Sequence, residues 1–536
     1  MRSPSSRFFS VKSLGFWVIV VGFYLLLTGG AQHYWDEYYY LYGLSRHGTG
    51  GLLSLESGLE NLLFPPSFFS AKVGFLLLVE GLLDLFGSDP GGIEWIRWFF
   101  LLLIIPFAGV HYLLFREAIG ERLARWGAVA VFFIPVTLYL GGKILTEVPS
   151  TFFAVASVWF LTLSFRSCDR WRVASWIAAG AVLLAVASLY RFTAPILSAS
   201  LVLGLMALRD SRFPLLSLIV RGLCLGVSAG IIVVGVQYLV LGRDLAEILG
   251  LAGPVLARDF SPLFRLYALG VGIQLMAFPI LMAFPEWRSP AFRFGLIWTL
   301  GTLVPIFTMT TYVETRYMVI GIGGLALLAV VGIDSGILSR VRPALHGVFG
   351  VGIFLMLAVV GNSLFARFFP IEIDEADFDG LLEEVAESRE GDPVLATGWV
   401  TDFCYLRMLH PEVPTFITWC GPRSVWVDTA DVPAEVFTFF NYRWIGPERR
   451  SFFQDTDALY VGWAYNPSVT RLMETLSALG IDAFAESLPS RLGLSDHLTL
   501  GWPWRRGWLV ETSAYSLGDY SAYEFRPNSQ IVHTSP

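Results

Sequence analysis

Apolar segments long enough to cross a lipid bilayer recur along most of the chain, and they constrain its fold more than any other feature. A helix crosses the hydrocarbon core with about 20 consecutive apolar residues. Hydrophobic residues make up 55% of the sequence and charged residues only 15%, which is too little polar surface for a soluble protein of this size. We predict an α-helical polytopic membrane protein with about eleven transmembrane helices, at residues 14–30, 95–115, 126–142, 148–165, 174–190, 193–208, 222–241, 263–284, 294–311, 317–333 and 347–361.

The distribution of arginine residues predicts how these helices are oriented. Arginines gather in alternate loops, beginning with Arg116, Arg122 and Arg125, and loops of this kind remain in the cytoplasm. The N-terminus is then cytoplasmic, and an odd number of crossings places the C-terminal part outside. We therefore predict a multi-pass protein of the cell (inner) membrane.

One further apolar segment, residues 67–87, does not fit as a crossing. Counting it would place the first arginine loop outside and invert every later loop, and the segment contains Lys72, Glu80 and Asp84. We predict that it forms an amphipathic helix at the outer interface and covers the candidate site described below. The first outer loop is then long, and runs from residue 31 to residue 93.

The sequence becomes more polar after residue 361, which predicts two domains. Residues 1–361 form the transmembrane domain, and residues 362–536 form an extracytoplasmic α/β domain. In the second domain, short apolar strands alternate with helical patterns at about residues 375–389 and 467–479.

Two features of the remaining sequence bear on cofactors and disulfides. Cys404 and Cys420 could form a disulfide in an extracytoplasmic domain, or they could be two small core residues. No glycine-rich phosphate loop follows a strand, so we expect no nucleotide cofactor. We also expect no nucleic-acid partner.

Ionisable residues gather at the outer ends of the predicted helices. Charge near hydrocarbon is costly, so such residues mark a candidate site. Each also has an ordinary explanation, as part of an interfacial belt, as an arginine that reaches the headgroups, or as an acid at a helix start. Together they describe a site, because arginines suit a phosphate and carboxylates suit a general base or a metal. These residues are Asp36, Glu37, Lys143, Glu147, Arg191 and Arg316.

The order of these motifs resembles that of GT-C type glycosyltransferases that use lipid-linked sugars, which include protein O-mannosyltransferases and lipid A aminoarabinose transferases. The resemblance covers roughly residues 14–335. In one position, Phe64 stands where the family often has histidine. The motifs are Asp36-Glu37 after the first helix, Pro65-Pro66 in the outer loop, Glu147-Val148-Pro149 after the third helix, Arg191 after the fifth, and Glu314-Thr315-Arg316-Tyr317 before a late helix.

The resemblance implies transfer of one sugar from a polyprenyl-phosphate donor to a lipid, glycan or protein acceptor on the outer face, with inversion. Asp36 would be the general base, with Glu37 and Glu147 supporting the acceptor or a metal. Whether a divalent metal binds Asp36, Glu37 or Glu147 stays open. Further residues would bind the donor phosphate and its sugar, namely Arg191, Arg316, Lys72, Lys143 and Tyr317.

Two other functions remain open from the sequence. A transporter or flippase for an anionic lipid or lipid-linked sugar would also place arginines at the outer side. It would be expected to show repeated halves and charges at the membrane midplane, and the sequence shows neither. A sensor or assembly scaffold would act through residues 362–536.

Overall fold

The described part of the chain is mostly helical. The computed structural model describes residues 11–28, 33–55, 69–208, 212–242, 280–281, 283–309, 315–336, 352–353, 355–356, 372–373, 394–397, 400–409, 415–419, 436–438, 460–465, 509–517 and 520–527. The helices are α1 (Val11–Leu27), α2 (Trp35–Ser54), α3 (Val73–Phe86), α4 (Pro90–Ile119), α5 (Glu121–Phe133), α6 (Pro135–Leu140), α7 (Glu147–Ser164), α8 (Arg170–Tyr190), α9 (Ala194–Ala207), α10 (Leu215–Leu241), α11 (Pro290–Met309), α12 (Ile322–Gly336) and α13 (Val400–Leu409), with 3₁₀ helices at Phe284–Glu286 and Thr315–Gly321.

Within these ranges, five helical segments are long and apolar enough to cross a membrane, and the chain is therefore a membrane protein. Burial separates the centre of the bundle from its edge. In the most apolar stretch of each segment, 83% of the residues are buried at Tyr317–Ser335 and 72% at Glu147–Ser164, but only 11% at Leu215–Leu239. Thus α7 and α12 lie at the centre of the described bundle, and α10 lies at its edge with most of its surface exposed. The other two long segments are Pro90–Ile119 and Arg170–Tyr190, and shorter apolar helices lie at Gly15–Leu27, Ala194–Ala207 and Pro290–Ile306.

Most predicted crossings overlap an observed helix, and one of them is divided between two helices. Residues 126–142 fall on two helices, because Ile134 is extended and Pro135 starts α6 at its first position, where proline costs no hydrogen bond. The predicted crossings at 263–284 and 347–361 lie almost entirely outside the described residues. The total of about eleven helices therefore stays a prediction.

The predicted outer loop contains two helices that pack on each other. α3 has 14 residues and is about 21 Å long, which is shorter than the bilayer core of about 30 Å. α2 is interrupted at Gly48, whose φ of 62° favours glycine. The Oε1 atom of Glu80 on α3 accepts a hydrogen bond from the backbone nitrogen of Thr49 at 3.0 Å, so α3 fastens α2 at its break. That α3 lies outside the membrane remains a prediction.

The described strands are β1 (His33–Tyr34), β2 (Glu372–Ile373), β3 (Val394–Thr397), β4 (Thr415–Trp419), β5 (Val436–Thr438), β6 (Tyr460–Tyr465), β7 (Leu509–Leu517) and β8 (Tyr520–Pro527).

Six of these strands, all from the C-terminal part, form a mixed sheet, and α13 connects β3 to β4 in sequence. The parallel strands follow the order β5-β4-β3-β6, and β8 and β7 continue the sheet in antiparallel fashion. A separate two-stranded pairing joins β1 to β2. Whether these strands form an independent extracytoplasmic domain stays a prediction.

Two apolar clusters hold the described helices together. The larger one joins the membrane helices, and includes Trp298 and Leu201. The smaller one lies where α2, α3, the start of α4 and the end of α8 meet, and contains Tyr38, Phe75 and Tyr190. Because this smaller cluster packs the outer-loop helices onto the membrane helices, it positions the polar residues described next.

Candidate active site

Segments that carry the predicted site residues meet at one end of the membrane helices, which we call the site end. α7 begins there at Glu147, α8 ends there at Tyr190, and α9 follows Thr193. The 3₁₀ helix Thr315–Gly321 packs against the same helices. Residues far apart in sequence are thus brought to a common depth, as the resemblance implies.

Glu147 and Arg191 form a buried ion pair at the site end. The Nη1 atom of Arg191 donates to Oε1 of Glu147 and to Oγ1 of Thr146, the latter at 3.2 Å, and its Nε donates to Oγ1 of Thr193 at 3.2 Å. Arg191 is 8% exposed and Glu147 is 1% exposed. Charge-assisted bonds of this kind fix a guanidinium in one orientation.

The ring of Tyr317 packs against the guanidinium group of Arg191. The Cζ atom of Arg191 lies 4.3 Å from the centre of the ring, a cation–π distance. Tyr317 belongs to the 3₁₀ helix and Glu147 to α7. The arginine therefore lies between a carboxylate and an aromatic face from two separate segments.

A second buried ion pair joins α2 to the second turn of α4. The Nε atom of Arg97 lies 3.1 Å from Oε2 of Glu37, and its Nη2 donates to the hydroxyl of Tyr38 at 3.2 Å. Glu94 approaches Nη1 of the same arginine to 3.8 Å and is half exposed. The Tyr38 ring meets Tyr405 of α13 edge-on at 4.8 Å. The C-terminal part thus contacts the helix that carries the acidic pair.

A chain of aromatic rings runs from α2 to the residue before Arg191. Tyr40 lies 5.1 Å from Phe75, which lies 6.4 Å from Tyr190, the residue before Arg191. The Nζ atom of Lys72 donates to the Tyr40 hydroxyl at 2.6 Å. The acidic helix and the arginine turn therefore belong to one packed unit.

The sequence and the fold were each compared with those of known proteins. No family model and no curated protein sequence matches the chain. The fold of ArnT from Cupriavidus metallidurans in the apo state matches 98% of this chain and 100% of that one, with a TM-score of 0.50 and 14% identity. The same protein bound to undecaprenyl phosphate matches with a TM-score of 0.48 and 14% identity, over 98% of this chain and 100% of that one.

The oligosaccharyltransferase of Archaeoglobus fulgidus, tethered with an acceptor peptide, matches 98% of this chain and 75% of that one, with a TM-score of 0.45 and 13% identity. Of these matches, the one to apo ArnT has the highest TM-score, and it extends over both chains. The chain has a GT-C type fold.

The GT-C fold brings together some of the predicted site residues within the described part of the chain. Glu147, Arg191 and Tyr317 are in contact. Lys143 is buried in the turn before α7. Glu37 lies on α2, and Lys72 directly precedes α3.

The side chains of two predicted residues lie outside the described part of the structure. Asp36 falls in the first turn of α2, and Arg316 falls in the 3₁₀ helix beside Tyr317. Their roles therefore stay predictions. Cys420 also lies outside the described residues, so its pairing with the buried Cys404 stays a prediction.

The expectation of a metal also stays a prediction. Among the described side chains, no three His, Cys, Asp or Glu residues converge on one point. Glu37 and Glu147 each face an arginine. Asp36 is the remaining candidate ligand, and its side chain is outside the described set.

Sequence reasoning missed Arg97, although a signal was present. It is a lone arginine at the start of the apolar run of α4, and an ionisable residue there is by default a candidate for function. The roles of Thr146 and Thr193 as hydroxyl partners of Arg191 were also not foreseen. Nothing in their local sequence distinguishes them from ordinary residues at helix starts.

Proposed function

We propose that this protein transfers a sugar from a polyprenyl-phosphate donor to an acceptor on the extracytoplasmic face of the membrane. The observation that carries the proposal is the convergence of Glu147, Arg191 and Tyr317 at the same end of the bundle as the helix of Asp36 and Glu37. The acceptor is a lipid, a glycan or a protein, and the membrane supplies the donor.

Arg191 is suited to hold the donor phosphate. A guanidinium has several N–H donors in one plane, so it can bond Glu147 with one group and a phosphate oxygen with another. Burial strengthens its attraction for an anion, and Glu147 and Tyr317 keep it in place before the donor binds. In this proposal Arg316, Lys72 and Lys143 add positive charge around the same phosphate.

The reaction is a single displacement at the anomeric carbon. The acceptor hydroxyl oxygen attacks that carbon from the side opposite the phosphate, and the bond from the carbon to the phosphate oxygen breaks. The polyprenyl phosphate leaves with the electron pair, and the hydroxyl proton passes to the Asp36 carboxylate. The sugar is therefore transferred with inversion, and Arg191 stabilises the charge that develops on the leaving phosphate.

The placement of Glu37 supports Asp36 as the base. Adjacent residues on a helix point about 100° apart, and Glu37 points into the apolar cluster, where Arg97 holds it. Its role in the proposal is to fix the start of α2, while Glu147 fixes Arg191.

The remaining parts of the proposal concern topology. The N-terminus is cytoplasmic in the cell (inner) membrane, residues 1–361 form the catalytic domain with about eleven crossings, and residues 362–536 form an outer α/β domain. ArnT, whose apo fold this chain shares, is also known bound to undecaprenyl phosphate, a ligand of the proposed class.

The proposal is tested with the purified full chain in liposomes. Polyprenyl-phosphate sugars that carry a labelled sugar are offered with membrane lipids, glycans or secreted proteins as acceptors. We expect the label to move to one acceptor class, with release of polyprenyl phosphate and inversion at the anomeric carbon.

A parallel measurement follows the intact labelled lipid across the liposome membrane. The wild-type chain is used in both the transfer assay and the movement assay. If it moves the lipid but does not transfer its sugar, the protein is a flippase and not a transferase. If the wild-type chain neither transfers the sugar nor moves the lipid for any polyprenyl-phosphate sugar, the proposed donor class is refuted.

A further inference from the structure

A cavity lies at the opposite end of the membrane helices from the candidate active site. Its volume is about 600 Å³, and its lining combines the side chains of Arg166, Ser167, Arg172 and Ser175 with the apolar surfaces of Trp176 and its neighbours. It opens between the end of α7 and the start of α8. Since α7 has 18 residues and rises about 1.5 Å per residue, roughly 27 Å separates its two ends.

The lining of this cavity is positively charged. It contains two arginines, and none of its lining residues is an acid. The Nε and Nη2 atoms of Arg166 both donate to the carboxylate of Glu117, which lies to the side and is mostly buried. Glu117 thus orients Arg166 while the side chain as a whole remains 56% exposed.

Arg172 and Ser167 complete a set of donors for an anion. Arg172 is 77% exposed and only approaches Asp169, at 3.7 Å. The Oγ atom of Ser167 accepts a hydrogen bond from the backbone nitrogen of Asp169 at 3.2 Å, so its own proton can be donated elsewhere. Two guanidinium groups and a hydroxyl match the oxygen atoms of a phosphate group.

An exposed apolar face lies beside the cavity. Trp171, in the same turn as Arg172, is 83% exposed, and tryptophan at the end of a membrane helix sits at headgroup level. Further along α8, Ala178 and Val182 are exposed on the face that Trp171 begins. This face extends from the cavity towards the middle of α8, in the direction that the acyl chain of a lipid bound at the cavity would follow.

We propose that this cavity binds the phosphate headgroup of an anionic phospholipid, with an acyl chain along the exposed face of α8. A membrane lipid is favoured over a free phosphate because the charged lining and the apolar face are continuous on one helix. Basic pockets between the ends of membrane helices suit such headgroups.

The test is native mass spectrometry of the full chain, released from detergent in the presence of phosphatidylglycerol or phosphatidylcholine. Wild type is expected to retain phosphatidylglycerol preferentially. Arg172→Gln is expected to weaken retention about fivefold, as for one basic residue at a membrane surface. Ser175→Glu adds a negative charge to the lining without breaking an ion pair, and should weaken it at least as much.

The matched control is Arg125→Gln. Arg125 is exposed at the same end of the bundle, pairs with Glu121 on its own helix, and does not line the cavity, so its loss should leave retention unchanged. Three results would overturn the proposal. These are equal retention of the two lipids by wild type, equal loss in the Arg125 and Arg172 variants, and displacement of the lipid by millimolar inorganic phosphate.

Discussion

The Nε atom of Arg97 lies 3.1 Å from Oε2 of Glu37, and neither side chain is more than 2% exposed. A buried ion pair of this kind is costly to form and costlier to break, because the remaining charge is left without compensation. The pair joins α2 to α4, so it fixes the start of the helix that carries Asp36. Of the two adjacent acids, Glu37 therefore has a structural task.

The first prediction concerns the stability of this pair. Arg97→Met leaves the Glu37 carboxylate buried and should lower the free energy of unfolding by about 3–5 kcal/mol. The double variant Arg97→Met with Glu37→Leu removes both charges and should recover most of that loss. Thermal unfolding of the purified chain in detergent measures both variants.

The control for this prediction is an exposed ion pair in the same protein. Arg125 and Glu121 are about half exposed, and exposed pairs contribute roughly 0–1 kcal/mol. Arg125→Gln should therefore shift the melting temperature very little. A double variant no more stable than Arg97→Met would show that the pair itself is not the cause.

The second prediction separates the two acids by their effect on catalysis. Asp36→Asn keeps the size of the side chain but removes its basicity, and should lower the rate of sugar transfer by on the order of 10²–10⁴, with donor binding retained. Glu37→Gln should act mainly through stability. Wild-type transfer by Asp36→Asn in a folded chain would remove Asp36 from the mechanism.

The third prediction concerns the arginine held by Glu147. Arg191→Ala should weaken donor binding and also lower the rate, because a phosphate contact acts in both the ground state and the transition state. Arg191→Lys keeps the charge but loses the planar fork that meets Glu147, Thr146 and Thr193, and should recover only part of the binding. Equilibrium binding of a labelled polyprenyl phosphate measures both.

A pair of substitutions tests the cation–π contact between Tyr317 and Arg191. Tyr317→Phe retains the ring over Arg191 and should preserve donor binding. Tyr317→Leu removes the cation–π contact, which contributes about 0.5–2 kcal/mol, and should weaken donor binding by about 2- to 30-fold. Equal effects of the two substitutions would assign the role of Tyr317 to its hydroxyl instead of its ring.

The fourth prediction concerns the break in α2. At Gly48 the φ is +62°, and a Cβ atom there would lie 2.8 Å from Oε1 of Glu80. Gly48→Ala should therefore destabilise the chain by about 1–2 kcal/mol. Gly50, two residues later, has nothing within 4 Å of such an atom, and Gly50→Ala should be neutral or slightly stabilising. Chemical unfolding of both variants gives the comparison.

The sequence predicts the membrane helices well where hydropathy alone decides. The apolar run of residues 148–165 coincides with α7, and that of residues 174–190 lies within α8. The break at Pro135 was not predicted, because proline is also tolerated inside membrane helices. Hydropathy ranks a residue by transfer energy and does not report which helices lie at the centre, so the difference between α7 and α10 also needed the structure.

The candidate site was predictable only in part, for a physical reason. Glu147 and Arg191 are ionisable residues at helix ends, and such residues stand out from apolar surroundings. The partner of each charge depends on packing between segments that are distant in sequence. The pairing of Glu37 with Arg97, and the cation–π contact of Arg191 with Tyr317, therefore could not be read from local patterns.

The pairing of β1 with β2 has a consequence for how this protein is made. β1 lies immediately before α2, and its partner at Glu372–Ile373 is synthesised only after the described membrane helices have left the ribosome. Closing so long a loop carries a large entropic cost, which the packed bundle must first reduce. Biosynthesis should therefore yield an inserted bundle before β1 is paired, and a nascent chain released ahead of residue 372 would lack the strand that pairs with β1 in front of the acidic helix.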